Sequence, residues 1–265
     1  MIRSLYSGVS GMKSHQVRMD VVGNNIANVN TNGYKSSRAN FQDTLYQTIR
    51  YGSANAGVNG GINPSQVGLG MTVSSITNDM KQGAQQTTSR PLDLAIQGNG
   101  WFTVTDGTTN YYTREGVFYV DNAGDMVNSS GLKVLDTGGN PINFGTNGIA
   151  TINIAKDGSI TATDLTGTDI SPATGIGLAM FSNQDGLERV GRNLYVESVA
   201  SGAPIDGTPG AGGFGDINSG YLEMSDVDLT DEFANMITTQ RGYQASARTI
   251  TTSDQMLMEL LDLKR

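Results

Sequence analysis

Few residues in this chain could do chemistry, and they do not converge. Histidine occurs once, at His15. It lies beside a helical stripe with no carboxylates at metal-ligand spacing around it, so it reads as a solvated helix-face side chain. Cysteine is absent, which removes disulfides, a thiol nucleophile and thiolate metal sites. Gly98-Asn99-Gly100 lacks the following helix and third glycine of a dinucleotide loop and reads as a hairpin turn. No Gly-x-Ser-x-Gly elbow occurs. Asp106, Asp121, Asp125 and Asp157 could be paired acids or calcium ligands, but each sits at a turn, where Asp accepts local backbone hydrogen bonds. Asn128-Ser129-Ser130 matches a glycosylation acceptor, a short pattern that arises often by chance. Trp101 reads as a core aromatic. The residues supply no catalytic site, no metal site, no cofactor site and no small-molecule substrate site.

Composition narrows the class further. The net charge is −8 and only 16% of residues are charged, so no basic stripe is available to displace counterions from nucleic acid. Hydrophobic residues make up 37% of the 265, with 35 Gly and 6 Pro. Such a chain turns often and buries modestly, which predicts an elongated molecule with several thin cores. Residues 1–30 lack the continuous apolar run of about 7–15 residues that a cleavable secretory signal needs. No stretch reaches the roughly 18 apolar residues of a membrane span.

The elements that must organise the chain are its two ends. Leu229, Phe233, Met236, Tyr243, Ala247, Ile250, Leu257 and Leu261 alternate spacings of four and three, the seam of a coiled coil, with polar Gln240 and Asp254 at two seam positions. Asp228 is a candidate N-cap, and Asp231 and Glu232 follow near the positive helix end. At about 1.5 Å per residue, 228–263 makes a rod of roughly 54 Å. Ile2, Leu5, Val9, Met12, Met19 and Ile26 keep the same spacing, with Gln16 and Gly23 at the weak positions. This predicts a helix from Ile2 to about Ala27. Gly8, Gly11 and Gly23 each cost it about 1 kcal/mol. The two helices are expected to pair as a coiled coil, leaving Val22, Val29, Ile237 and Leu260 on flanking positions for neighbouring chains.

Between the helices the signals change twice. Residues 36–90 are rich in Gly, Ser, Asn and Gln, and six glycines fall within nineteen residues from Gly52 to Gly70. That density predicts a long loop or an irregular hairpin; a structureless loop this long inside a compact domain is suspect, so the segment is expected to gain order by packing on a neighbouring chain. From Pro91 the period becomes two. Leu92–Ile96, Trp101–Val104, Val117–Val120, Met126-Val127, Leu132–Leu135, Thr151–Ile154, Ser159–Thr163, Ile176–Phe181 and Leu194–Val196 read as short antiparallel strands. Residues 202–220 read as loop. The expected class is α+β: terminal helices from 1–35 and 221–265, a Gly-rich linker over 36–90, and an antiparallel β-rich domain over 91–220.

Asn24-Asn25-Ile26-Ala27-Asn28-Val29-Asn30-Thr31-Asn32-Gly33-Tyr34-Lys35 resembles the N-terminal signature of bacterial flagellar axial proteins, the rod and hook family. Asn24, Asn25, Ala27, Asn28, Thr31, Gly33, Tyr34 and Lys35 carry the match. Asp93–Phe102, Tyr112-Thr113-Arg114-Glu115-Gly116, Asn193-Leu194-Tyr195, Gly220–Leu229 and Gln240–Gln244 resemble further segments of the family. The resemblance implies a structural subunit that polymerises with itself into the hollow axial tube. It also implies export without a cleavable signal, through the flagellar type III export apparatus. The adjoining rod, hook cap and hook–filament junction proteins are the implied partners, at the hook or basal body on the cell surface. Val227–Glu232, Thr249–Gln255 and the Leu263-Lys264-Arg265 ending resemble hook proteins, which makes a hook subunit transmitting torque from motor to filament the first expectation. The chain's length and single middle domain suit a distal rod subunit as the alternative. A secreted β-rich adhesin with helical ends is a reading of another class, and it requires a stable monomer with a ligand groove.

Overall fold

The structure is a computed structural model that describes residues 2–54, 60–145, 148–172 and 174–263. Gly57 of the glycine run, the side chain of Ile2, and Lys264 and Arg265 lie outside the described set. The chain divides into two compact units. One comprises 1–27, 37–78 and 228–265; the other comprises 28–36 and 79–227. The division therefore groups 37–78 with the helices, and 28–36, 79–90 and 221–227 with the β-rich segment. No helix among the described residues is long and apolar enough to cross a membrane.

The helical unit holds α1 (Ile2–Ala27) and α2 (Leu229–Asp262). Asp228 caps α2, its carboxylate accepting from the Thr230 N–H at 2.8 Å. The Gly-rich segment is a hairpin. Ser37–Asp43 pairs antiparallel with Met71–Asn78, and Tyr46–Arg50 with Ser65–Gly68, with register shifts at Asn40/Phe41 and Thr48/Arg50. Its base packs on α1, and Val22, expected to wait for a neighbour, is buried within the chain. Outward from there the hairpin carries exposed Leu45, Tyr46, Ile49, Tyr51 and Ile62.

The β unit is built on an antiparallel sheet. Its strands run in the order Glu188–Gly191, Leu194–Val196, Asn110–Thr113, Trp101–Thr105, Lys133–Val134, Met126–Asn128 and Phe118–Val120. Leu178–Met180 also pairs with Trp101–Thr105, and carries Ile205–Gly207 on its other side. The central strand Trp101–Thr105 is buried on both faces. The period of two sends Trp101 to one core with Tyr112, Phe181 and Tyr195, and sends Phe102 and Val104 to the other with Phe118, Leu178 and Ile217. The segment read as loop over 202–220 contains two strands, Ile205–Gly207 and Asp216–Ser219. They were invisible locally because each is short and is held by a distant partner: Asp216–Ser219 pairs with Leu94–Gln97, and Tyr221–Glu223 beyond it pairs with Gln85–Thr87.

Candidate assembly interface

Within the helical unit α1 and α2 run antiparallel. Ser4 Oγ meets Ser253 Oγ at 3.1 Å, the Arg18 guanidinium donates to Asn235 Oδ1 at 3.1 Å, and Asn25 Nδ2 donates to Glu232 Oε1 at 3.3 Å. Between these contacts, Gly8 faces Thr249 and Ile250, Gly11 faces Ser246, and Gly242 faces His15. The contact row on α1 is thus Ser4, Gly8, Gly11, His15, Arg18 and Asn25. It lies one residue before the apolar row Leu5, Val9, Met12, Met19 and Ile26. On α2 the row Glu232, Asn235, Gly242, Ser246, Thr249 and Ser253 likewise runs one residue ahead of Phe233, Met236, Tyr243 and Ile250. Small side chains let the helix backbones approach, because interaxial distance follows the size of the side chains at the contact. A rotation of one residue, about 100°, puts most of the apolar rows beside the contact, with Ile250 reaching into it against Gly8.

The seam residues therefore fall into two groups. Leu5, Val9, Met12, Met19, Ile26, Met236, Ile250 and Leu257 are half-buried. Leu229, Phe233, Tyr243 and Leu261 are exposed, as are Ile237 and Leu260; Phe233 retains 49% and Leu261 68% of its accessible surface. The register also explains the C-terminal end. Ser253 already sits opposite Ser4, so Met256, Met258, Leu260, Leu261 and Leu263 extend past the start of α1 and stay exposed.

The signature residues part at the end of α1. Asn24 and Ala27 are exposed on its last turn. Asn25 is buried and clamps the hairpin: its Nδ2 donates to the Ser37 carbonyl at 2.8 Å and its Oδ1 accepts from the Ser37 N–H at 3.0 Å. Asn28 and Thr31 close a turn, with Thr31 N–H donating to the Asn28 carbonyl at 3.1 Å. Gly33, Tyr34 and Lys35 are buried in the β unit.

There the segments that carried the resemblance meet. Lys35 Nζ lies 2.7 Å from Glu223 Oε1 and donates to the Lys81 carbonyl at 2.5 Å. Arg114 NH1 lies 3.3 Å from Glu223 Oε2, its NH2 donates to the Gly98 carbonyl at 2.8 Å, and its guanidinium stacks 5.4 Å from the Trp101 ring. Gly33 N–H donates to the Glu223 carbonyl at 2.8 Å. Gly33 has φ +68, and a Cβ there would come within 2.7 Å of the Arg114–Glu115 peptide, so the position requires glycine twice over. Asn193 Nδ2 donates to the Asn32 carbonyl at 3.1 Å, and Arg189 lies 5.3 Å over the Tyr34 ring. Burial pushes the Lys35 ammonium and the Arg114 guanidinium below their ordinary pKa values, while Glu223 pulls both back up. Burial raises the Asp226 carboxyl, whose oxygens accept from the Ser36 N–H at 2.7 Å and Oγ at 3.0 Å. Sequence reasoning named Lys35 as signature and passed over Arg114 and Glu223 as a pair, since nothing local marks partners this far apart.

The remaining chemistry-bearing residues serve local structure. Asp106 accepts from the Thr108 and Thr109 N–H groups, each at 2.9 Å, and Asp157 from the Ser159 N–H at 3.1 Å. Asp121 accepts from the Asn122 N–H at 2.7 Å, and Asp125 pairs with Lys133 at 2.5 Å. Asn128 is buried, its Oδ1 accepting from Ser130 and Leu132. Among the described residues no cluster of three or more His, Asp or Glu is placed to hold a metal ion.

A helix pair with an open apolar face, joined by signature segments locked into a β unit, defines a structural subunit of axial type. Residues 5–35 match the family described as flagella basal body rod protein, 95–162 the flagellar hook protein FlgE/F/G D1 domain, and 218–263 the flagellar basal body rod FlgEFG protein C-terminal family. The flagellar basal-body rod protein FlgG of Bacillus subtilis (strain 168) is 48% identical over 266 residues, covering 100% of both chains. That of Buchnera aphidicola subsp. Acyrthosiphon pisum is 41% identical over 267 residues, covering 99% of this chain and 100% of the relative. The flagellar hook protein FlgE of Borreliella burgdorferi is 30% identical over 441 aligned positions, covering 100% of both. The chain belongs to the flagellar rod and hook family, as a structural axial subunit and not an enzyme.

Proposed function

We propose that this chain is a distal rod subunit of the flagellar basal body, polymerising helically with itself through the open apolar faces of α2 and the hairpin. The rod alternative is preferred to the hook expected from the C-terminal motifs. Its support is that rod relatives align along their whole length over 266 and 267 residues, whereas the hook relative needs 441 aligned positions. The observation that carries self-assembly is the exposure of Phe233, Ile237, Leu260 and Leu261 along a 34-residue helix. Exposed large apolar side chains at both ends of one helix mark a surface that a partner covers. In the polymer the terminal helices of neighbouring subunits are proposed to complete a coiled-coil layer on the Leu5–Ile26 and Leu229–Leu261 rows. Adjoining axial proteins and the flagellar type III export apparatus are the proposed partners, and self-assembly is the first of these contacts.

Phe233→Asp combined with Leu261→Asp tests the assembly face. The double variant is expected to keep the thermal transition of the β unit and to lose polymerisation and motility. Polymers of normal length from that variant would refute the face. Antibody labelling of isolated hook–basal bodies separates the two axial positions: label confined to the hook would refute the rod reading.

A further inference from the structure

The charges that act on one another around Lys35 are segregated along the chain. Both cations of the cluster, Lys35 and Arg114, precede its anions, the buried Glu223 and the half-buried Asp226. Lys35 is 1% exposed and its ammonium is held by Glu223 and the Lys81 carbonyl. Arg114 is also buried and shares the other oxygen of the same carboxylate. The Glu223 carboxylate accepts in addition from the Gly83 N–H at 3.0 Å. Residues 221–227, which bring both anions, dock last in chain order on Gln85–Thr87.

We propose that Lys35 is an electrostatic gate on the folding of the β unit, its ammonium holding the unit open until the segment carrying Glu223 has docked. With 28–36 and 79–220 in place and 221–227 absent, Lys35 and Arg114 would be buried together without the carboxylates that act on them. Burying two uncompensated cations, at several kcal/mol each, takes up much of the marginal stability of a domain. Docking of Glu223 removes that penalty in one step. A chain that emerges N-terminus first therefore stays open until its last strand is out. The gate differs from simple glue in one respect. Arg114 and Glu223 balance each other one to one, so Lys35 is the cation whose removal the folded unit tolerates.

Trp101 is the chain's single tryptophan, fully buried and stacked on Arg114, and it reports on the cluster in the full-length protein. Three full-length variants, Glu223→Gln, Lys35→Met and the double, are compared by tryptophan-detected melting and by refolding from urea. Glu223→Gln is expected to lower the midpoint by roughly 10 °C or to unfold the unit outright. Lys35→Met alone is expected to leave the midpoint unchanged or raise it, to accelerate refolding, and to restore most of the loss when added to Glu223→Gln. A Lys35→Met midpoint as low as that of Glu223→Gln would overturn the gate. So would a double variant no more stable than Glu223→Gln, or a refolding rate that Lys35→Met leaves unchanged.

Discussion

Gly242 of α2 lies flat against His15 of α1: a Cβ at position 242 would come within 2.6 Å of both Cε1 and Nε2 of the imidazole. Gly8 and Gly11 meet α2 in the same way, with a Cβ on Gly8 falling 2.6 Å from Thr249 Oγ1 and one on Gly11 falling 2.8 Å from Ser246 Oγ. These glycines weaken each helix taken alone and allow the pair to close.

Glycines on and off that contact row should respond oppositely to the same change. Gly23 has nothing within 4 Å of its missing Cβ, so Gly23→Ala should stabilise α1 by about 1 kcal/mol through propensity alone. Gly242→Ala gains the same propensity but must displace His15, and Gly8→Leu must displace Thr249, Ile250 and the Ser246 carbonyl. Far-UV circular dichroism melts should show a raised helical transition for the first and lowered transitions for the other two. A stabilised Gly8→Leu would remove the close helix contact from consideration.

Acidification should loosen the helical unit through His15. Burial, and then the Arg18 guanidinium, hold the imidazole pKa below the ordinary histidine value of 6.5. Phe41 packs edge-on at 5.7 Å on its other side. A depressed folded pKa means the unfolded chain takes up the proton first. The contribution is therefore complete above about pH 6.5 and is lost as pH falls through the folded value. Helical stability should drop between pH 7 and pH 5 in the native chain, with a smaller drop in His15→Gln. Equal slopes for the two chains would assign the effect to other groups.

Glu115 should act with the opposite sign in the β unit. Burial raises its carboxyl above the ordinary glutamate value of 4.5, against hydrogen bonds from Ser129 and Asn193. A raised folded pKa gives a contribution present below the unfolded value and lost as pH rises through the folded one. Near neutrality the ionised group is thus a burden, and Glu115→Gln should raise the urea midpoint at pH 7 with little gain below pH 4. Trp101 fluorescence measures both; a gain of the same size at both pH values would reject the argument.

Two β-unit glycines separate steric from conformational demand. A Cβ on Gly116 would fall 1.6 Å from the Leu94 carbonyl oxygen, which is backbone and cannot rotate away. Gly116→Ala should cost more than about 4 kcal/mol and leave little folded protein. Gly107 has φ +96 with open space around it, so Gly107→Ala should cost only about 1–2 kcal/mol. Chemical denaturation of the two variants gives the ranking, and comparable losses would contradict it.

Much of this protein was legible in the chain itself. The end of α1 at Ala27 follows from the Asn-rich break, and the start of α2 at Leu229 from the Asp228 cap. The strands that begin at Trp101, Met126 and Leu194 follow from a period of two bounded by glycine turns. The family was legible because Asn24–Lys35 and Gly220–Leu229 are long contiguous motifs. Tertiary structure decided the rest, because it depends on pairings across large sequence distances. Apolar periodicity located the seams of α1 and α2 but not the row on which they touch. That row is set by backbone approach, which glycine and serine permit and which hydrophobicity does not encode. Strands such as Asp216–Ser219 carry too few residues to declare themselves and exist because Leu94–Gln97 offers a ladder. The joining of Lys35, Arg114 and Glu223 is of the same kind: each is an ordinary charged residue in its own segment, and only the fold buries the three against one another.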